Sequence, residues 1–221
     1  MIELFEQDIQ TNAVHSSKGN QLKWKKGSLW YKADFLGYEG LAEYIISELL
    51  KHSSLNEHEL TVYSTEQIRY RSSVYNGCSS RDFLAEGSQL ITLERLFMNE
   101  TGESLYRSVF KITDHESRFT FLVNQVEKYT GLYNFGDYLA RLLTLDAVFL
   151  NEDRHLHNIA VILNGDGNYS LCPVFDMGAG LLSDTRVDYP LGGDVFTMIS
   201  NVKAKTICDD FDEQLETAEK Y

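Results

Sequence analysis

The chain has 221 residues, 43% of them apolar and 24% charged, with only two prolines. That length allows one large domain or two small lobes, and the composition is that of an ordered globular protein, not a disordered one. A formal net charge of -13 repels nucleic-acid phosphates and anionic lipid, so sequence-independent DNA or RNA binding and membrane partners are not expected, although a local basic pocket stays open.

The first ten residues carry Glu3, Glu6 and Asp8, not the basic start and apolar run of a signal peptide. No stretch reaches the roughly 18 apolar residues that a membrane span needs. The longest apolar segment, residues 139–150, is interrupted by Arg141 and Asp146. Cys78, Cys172 and Cys208 are far apart and odd in number. They read as reduced thiols of a cytoplasmic protein rather than a disulfide set or a zinc cluster. A secreted effector remains open.

Residues 21–24 and 28–33 flank Lys25, Lys26 and Gly27. The aromatic Trp24, Trp30 and Tyr31 favour strand and the glycine favours a tight turn, so a hairpin is predicted, fed by a loop over 16–20. Residues 40–52 show helical spacing with Leu41, Tyr44, Ile45 and Leu49, and Ile46 and Leu50 beside them, as a wide expected buried stripe. Strands are predicted at 60–63 and 70–75, then a polar connector at 78–82. Helical patterns follow at about 90–98, 119–129 and 135–150. The last has Asn134 and Asp137 as a capping-box-like start. Residues 159–163 and 169–172 enclose Asn-Gly-Asp-Gly-Asn at 164–168, a second hairpin. From 177 the chain reads as loop, then as a polar amphipathic stretch with a helix start near the acidic run at 209–213.

The chemistry concentrates around that second hairpin. Asp153 lies on the loop before it, Asn158 enters it, and Asp176 follows its exit. A hairpin returns the chain close to where it began, so three oxygen-bearing side chains are expected to converge. Phosphoryl transfer from ATP needs such a set: hard oxygens for a divalent cation, and an acceptor for the substrate hydroxyl proton. In protein kinases a catalytic Asp precedes a metal-binding Asn by five positions, and a second metal-binding Asp follows a short hairpin in Asp-Phe-Gly. Asp153 and Asn158 have that offset, and Asp176-Met177-Gly178 stands in the later place.

The run Leu145 to His155, followed by Asn158 and by Pro173-Val174-Phe175-Asp176-Met177-Gly178, resembles the signature of the HipA/CtkA-like serine/threonine protein kinase family, a bacterial group. The phosphoinositide kinases share a similar Asp-Arg-His core. The resemblance implies an α+β, two-lobed protein-kinase-like (HipA-like) fold. Its N-lobe covers 1–77 with a sheet and one helix, its hinge 78–83, and its mostly helical C-lobe 84–221. ATP with Mg²⁺, or Mn²⁺ in its place, is implied in a cleft between lobes, with a protein as substrate.

Residue by residue, the resemblance makes Asp153 the catalytic base and makes Asn158 and Asp176 the metal ligands. Lys32 becomes the phosphate-contacting lysine and Glu43 the helix glutamate that orients it. Ser16, Ser17 and Gly19 would cover the phosphates, although only one glycine is present there. Cys78 and Ser80, in the hinge, and His155 complete the nucleotide-side set. Ser16 and Ser17 are also open to autophosphorylation, which would block ATP entry.

The family usually has a larger helical region after Asp-x-Gly, so the C-terminal lobe is expected to be shortened or completed by a partner. Whether the chain is a toxin with an antitoxin, an effector or a regulator stays open. The alternatives are a pseudokinase used as an interaction module, a phosphoinositide or small-molecule kinase, and a metallohydrolase built on His155 and His157. Only two histidines lie there, against the last of these. Asp146, inside an apolar helix, is expected to support the catalytic loop, because a buried carboxylate needs partners.

Overall fold

The computed structural model describes residues 1–10 and 21–221. The expected loop at 16–20, with Ser16, Ser17 and Gly19, lies outside the described residues. In chain order the strands are β1 (Ile2–Leu4), β2 (Lys23–Lys26), β3 (Leu29–Ala33), β4 (Tyr63–Tyr70), β5 (Ser73–Arg81), β6 (Gln89–Thr92), β7 (Ala160–Leu163) and β8 (Tyr169–Leu171). The helices are α1 (Glu39–Leu50), α2 (Leu93–Thr101), α3 (Leu105–Val109), α4 (His115–Thr130), α5 (Phe135–Phe149), α6 (Val195–Asn201) and α7 (Phe211–Glu219). Among these helices none is long and apolar enough to cross a membrane. The chain divides into two compact units, residues 1–83 with 173–202, and residues 84–172 with 203–221.

The first unit is built on a five-stranded sheet in the order β1-β4-β5-β3-β2, antiparallel except for the parallel β1–β4 pair. The predicted first hairpin is β2–β3. Lys26 pairs with Leu29 across a two-residue turn, and Gly27 supplies its φ of +61°. Side chains alternate along β3. Tyr31 and Ala33 enter an apolar core with Leu4, Trp24, Ile68 and Tyr70, which sends Lys32 to the opposite face.

Helix α1 packs on β4 and β5 through a close approach of two glycines. A Cβ at Gly40 would sit 2.5 Å from the carbonyl carbon of Gly77. Gly40→Ala is therefore expected to lower stability by about 1–3 kcal/mol through overpacking. A thermal melt checks this, and an unchanged midpoint would mean that α1 can lift off the sheet without cost.

Several expected elements of this unit move. The buried face of α1 is Gly40, Ala42, Glu43, Ile46, Ser47 and Leu50, whereas Leu41, Ile45 and Leu49 are exposed. Polar groups on the inner side are satisfied locally. Ser47 Oγ accepts the Tyr63 N–H at 3.1 Å and donates to the Tyr44 carbonyl at 3.0 Å. The strands expected at 60–63 and 70–75 are displaced: β4 begins at Tyr63, and Arg71, at φ 53°, turns the chain into β5. Residues 78–81 of the expected connector and hinge belong to β5, a central strand paired on both sides. Pairing overrides the weak strand preference of Asn76, Gly77, Ser79 and Ser80.

Residues 173–202 return to this unit instead of joining the expected C-lobe of 84–221. The backbone fixes them there, with Thr61 N–H donating to the Val174 carbonyl at 3.0 Å and Val174 N–H to the Glu59 carbonyl at 2.8 Å.

The second unit combines the antiparallel sheet β6-β7-β8 with α2–α5 and α7. The predicted second hairpin is β7–β8. Asn164 Oδ1 accepts the N–H groups of Asp166 and Asn168, and Gly167 takes a φ of +83°. Helices α2, α3, α4 and α7 start at Thr92, Ser104, Asp114 and Asp210, each side chain accepting an orphan backbone N–H. Asn134, expected to cap α5, makes no such bond. The first residues of the pattern at 90–98 form β6, not helix, because they pair with β7. Helix α7 packs on α5 and α4, and Tyr221 lies 4.9 Å from Phe119, ring centroid to centroid.

Candidate functional site

In the first unit the polar centre is Lys32. Its position on β3 opposite the apolar core leaves the ammonium facing α1 and the chain after 173. Lys32 Nζ lies 2.7 Å from Glu43 Oε1 and 2.6 Å from Asp176 Oδ1. Glu43 is buried, and its Oε2 accepts the Met177 N–H at 2.9 Å. One carboxylate therefore fixes both the lysine and the backbone beside Asp176. Asp176 adopts φ 58°, a strained conformation for a residue with a side chain, of the kind that persists where surroundings over-determine it. Its N–H donates to Tyr63 Oη at 3.4 Å. Gly178 permits the approach of α1, since a Cβ there would lie 3.3 Å from Glu43 Cγ.

Burial pushes the Lys32 ammonium down, but the Asp176 and Glu43 carboxylates outweigh it and hold the group well above the ordinary lysine value of 10.5. The sign follows directly. Stability tied to this charge is complete below 10.5 and is lost only as pH rises through the higher folded value. Burial also raises the Cys78 thiol, so Cys78 sits in this cluster as a neutral group.

Cys78 pairs with Lys32 across the sheet and Ser80 with Trp30, so both share the Lys32 face. The cavity of about 490 Å³ in this unit is elsewhere. It is bordered by Leu29, Ser64, Glu66, Ser79 and Arg81, which the register places on the other face. The Ser79 hydroxyl donating to Glu66 at 3.0 Å agrees with that placement. Leu60, Thr61, Val62, Ser80 and Phe83 complete its lining, and Lys32 is not among the lining residues.

In the second unit the loop after α5 is organised by buried charge. Leu150 leaves the helix at φ 53°. Asp146, with no exposed surface, accepts the Arg154 Nε–H at 3.0 Å and the Asn151 amide at 2.7 Å. Arg154, 1% exposed, donates from Nη1 to the Asn158 carbonyl at 2.9 Å. One guanidinium thus ties α5 to the entry of β7. Burial raises the Asp146 carboxyl, opposed by Arg154 and the Asn151 bond, and its two hydrogen bonds join α5 to the loop that follows it.

Asp153 and Asn158 meet in this loop. Asn158 Nδ2 donates to the Asp153 carbonyl at 2.8 Å and lies 3.3 Å from its Oδ2. That leaves Asn158 Oδ1 for another partner. His155 Nδ1 accepts the His157 N–H at 3.2 Å, which assigns the ring proton to Nε2, 3.8 Å from Asp153 Oδ1. His157 is exposed. The loop thus builds a carboxylate–amide pair, and among the described residues His155 and His157 fall in no group of three metal-ligating side chains.

Sequence reasoning missed three groups. Lys205 Nζ lies 3.6 Å from Asp153 Oδ1, and Thr206 Oγ1 donates to the Arg154 carbonyl at 2.6 Å. Both come from a stretch without periodicity, about fifty positions downstream of the loop. Tyr63 packs its ring 5.4 Å below the Lys32 ammonium, and its place at the start of β4 gave no signal of that.

No family model matches the chain, and no curated protein matches it. Among solved structures, the Helicobacter pylori proinflammatory kinase CtkA matches with a TM-score of 0.52 and 17% identity over 83% of this chain. The chain spans 62% of the length of that structure. At this identity the likeness is one of fold, and the chain has a mixed α/β, kinase-like fold.

Proposed function

We propose that this protein is an ATP-dependent kinase that phosphorylates serine or threonine hydroxyls of a protein. The observation that carries the reading is the Lys32 ammonium held between Glu43 at 2.7 Å and Asp176 at 2.6 Å. Phosphoryl transfer asks a protein chiefly for positioned charge. Lys32 holds the phosphates and Glu43 fixes its direction. Each unit brings a hard oxygen of the kind Mg²⁺ takes: the Asp176 carboxylate in the first, and in the second the Asn158 amide oxygen, whose nitrogen is engaged by Asp153. The cation would neutralise charge developing on the phosphates. Cys78 and Ser80 belong to the nucleotide side by sharing the Lys32 face. Asp153 orients the acceptor hydroxyl and takes its proton. The kinase-like fold and the motif order Asp153, Asn158, Asp176 support the same assignment.

The test is ATP·Mg-dependent stabilisation and phosphate incorporation, wild type beside Lys32→Met and Asp176→Asn. Wild type is expected to gain melting temperature with ATP·Mg and to incorporate phosphate, and each variant to lose incorporation by about 10²-fold or more. A wild type stabilised by nucleotide without turnover would instead make the fold a binding module. A wild type indifferent to ATP would overturn the nucleotide reading.

A further inference from the structure

The second unit carries a cluster outside the groups considered so far. His115 opens α4, Glu213 lies in the first turn of α7, and Cys208 sits just before the cap of α7. One ligand atom from each, an imidazole nitrogen, a thiol sulfur and a carboxylate oxygen, lies within 4.8 Å of the other two. His115 Nδ1 and Glu213 Oε2 are 3.3 Å apart. Ligands about 2.0–2.3 Å from a tetrahedral ion are separated by roughly 3.3–3.8 Å, so the His115–Glu213 pair already has the spacing, and the Cys208 sulfur lies within 4.8 Å of both.

We infer that His115, Cys208 and Glu213 form a binding site for a borderline divalent cation of the Zn²⁺ class. A mixed nitrogen, sulfur and oxygen set selects such ions over Mg²⁺ or Ca²⁺, which want oxygen alone. A second observation agrees. His115 and Cys208 border a cavity of about 480 Å³, which leaves room for water as the fourth ligand, the arrangement of open zinc sites. Asp209 borders the same cavity, and the Cys208 thiol donates to the Asp210 main-chain carbonyl at 3.1 Å, a proton that metal binding would displace. Arg118 and Lys205 border the cavity and oppose a cation there, but the Arg118 guanidinium is held by the carbonyls of Ile112 and Ile207 at 2.7 and 2.6 Å, and Lys205 lies 3.6 Å from the Asp153 carboxylate. The spacing in sequence, 93 positions from His115 to Cys208, hides the set from motif reading.

The site has a route to the loop described above. Lys205 and Thr206 lie three and two positions before Cys208, and they contact Asp153 and the Arg154 carbonyl. A cation on Cys208 fixes the segment that places Lys205 beside Asp153. The metal site itself does not depend on the kinase reading.

The test is Co²⁺ titration of the metal-free full chain, followed by Zn²⁺-dependent melting. One equivalent of Co²⁺ is expected, with a thiolate-to-cobalt charge-transfer band that Cys208→Ser abolishes and Cys172→Ser retains. His115→Ala and Glu213→Gln are expected to weaken binding by on the order of tenfold or more. Zn²⁺ should raise the melting temperature of wild type and not of Cys208→Ser. Absence of the band, or equal binding by Cys208→Ser, overturns the site. ATP·Mg stabilisation measured on the same samples reads the nucleotide site separately, so failure of one is not failure of the other.

Discussion

Asp153→Asn should reduce phosphate transfer by about 10²–10⁴-fold, the range for a lost proton acceptor, while ATP·Mg still raises the melting temperature. The substitution keeps the shape of the side chain, and the amide of Asn158 can still donate to the main-chain carbonyl at position 153. What it removes is the charge facing Lys205 at 3.6 Å and, on the proposed function, the basic oxygen that would accept the hydroxyl proton. Retained nucleotide stabilisation separates this outcome from misfolding, because Lys32, Glu43 and Asp176 are untouched. Phosphate incorporation at the wild-type rate would remove Asp153 from the mechanism and return the loop to a structural role.

The sequence was most informative where local chemistry decides structure. The β7–β8 turn needs only Asn164 and Gly167 to close, and both hairpins were therefore visible. So was α5, whose apolar spacing is long and regular. It was least informative where a polar residue is buried for a purpose. Glu43 and Ser47 lie on the inner face of α1 because Lys32, Met177 and Tyr63 satisfy them, whereas apolar spacing alone placed Ile46 and Leu50 correctly but drew the exposed Leu41, Ile45 and Leu49 into the buried stripe. Ser79 and Ser80 are central-strand residues for the same reason: partners on β3 and β4 supply what propensity does not. Functional surfaces break local rules in this manner. Lys32 and Glu43 were placed through a family likeness, whereas Lys205 and the His115–Cys208–Glu213 set had no motif to carry them and became visible only once distant segments were folded together.

The largest loss of stability is expected from Arg154→Ala. Removing one partner of a buried ion pair leaves the other charge uncompensated and costs about 3–5 kcal/mol. For a chain of this size that is a fall of roughly 6–20 °C in melting temperature. Asp146→Ala should cost a similar amount, since the buried Arg154 charge would then lose the carboxylate that balances it. The pair is not there for stability alone, however. Burial raises the Asp146 carboxyl despite Arg154 beside it, so ionised Asp146 is less favourable in the folded state than in the unfolded chain. Replacing both residues, as Asp146→Leu with Arg154→Met, should therefore recover much of the loss, because an apolar pair carries no such penalty. Phosphate transfer should not recover with it. Arg154 also holds the Asn158 carbonyl at 2.9 Å, and without that bond the Asp153–Asn158 pair has lost its anchor to α5. Melting curves and incorporation rates on the two single variants and the double variant check both halves. A double variant as active as wild type would show that the loop keeps its shape without the guanidinium, whereas one that is stable and inactive would show that the buried charge is kept for position.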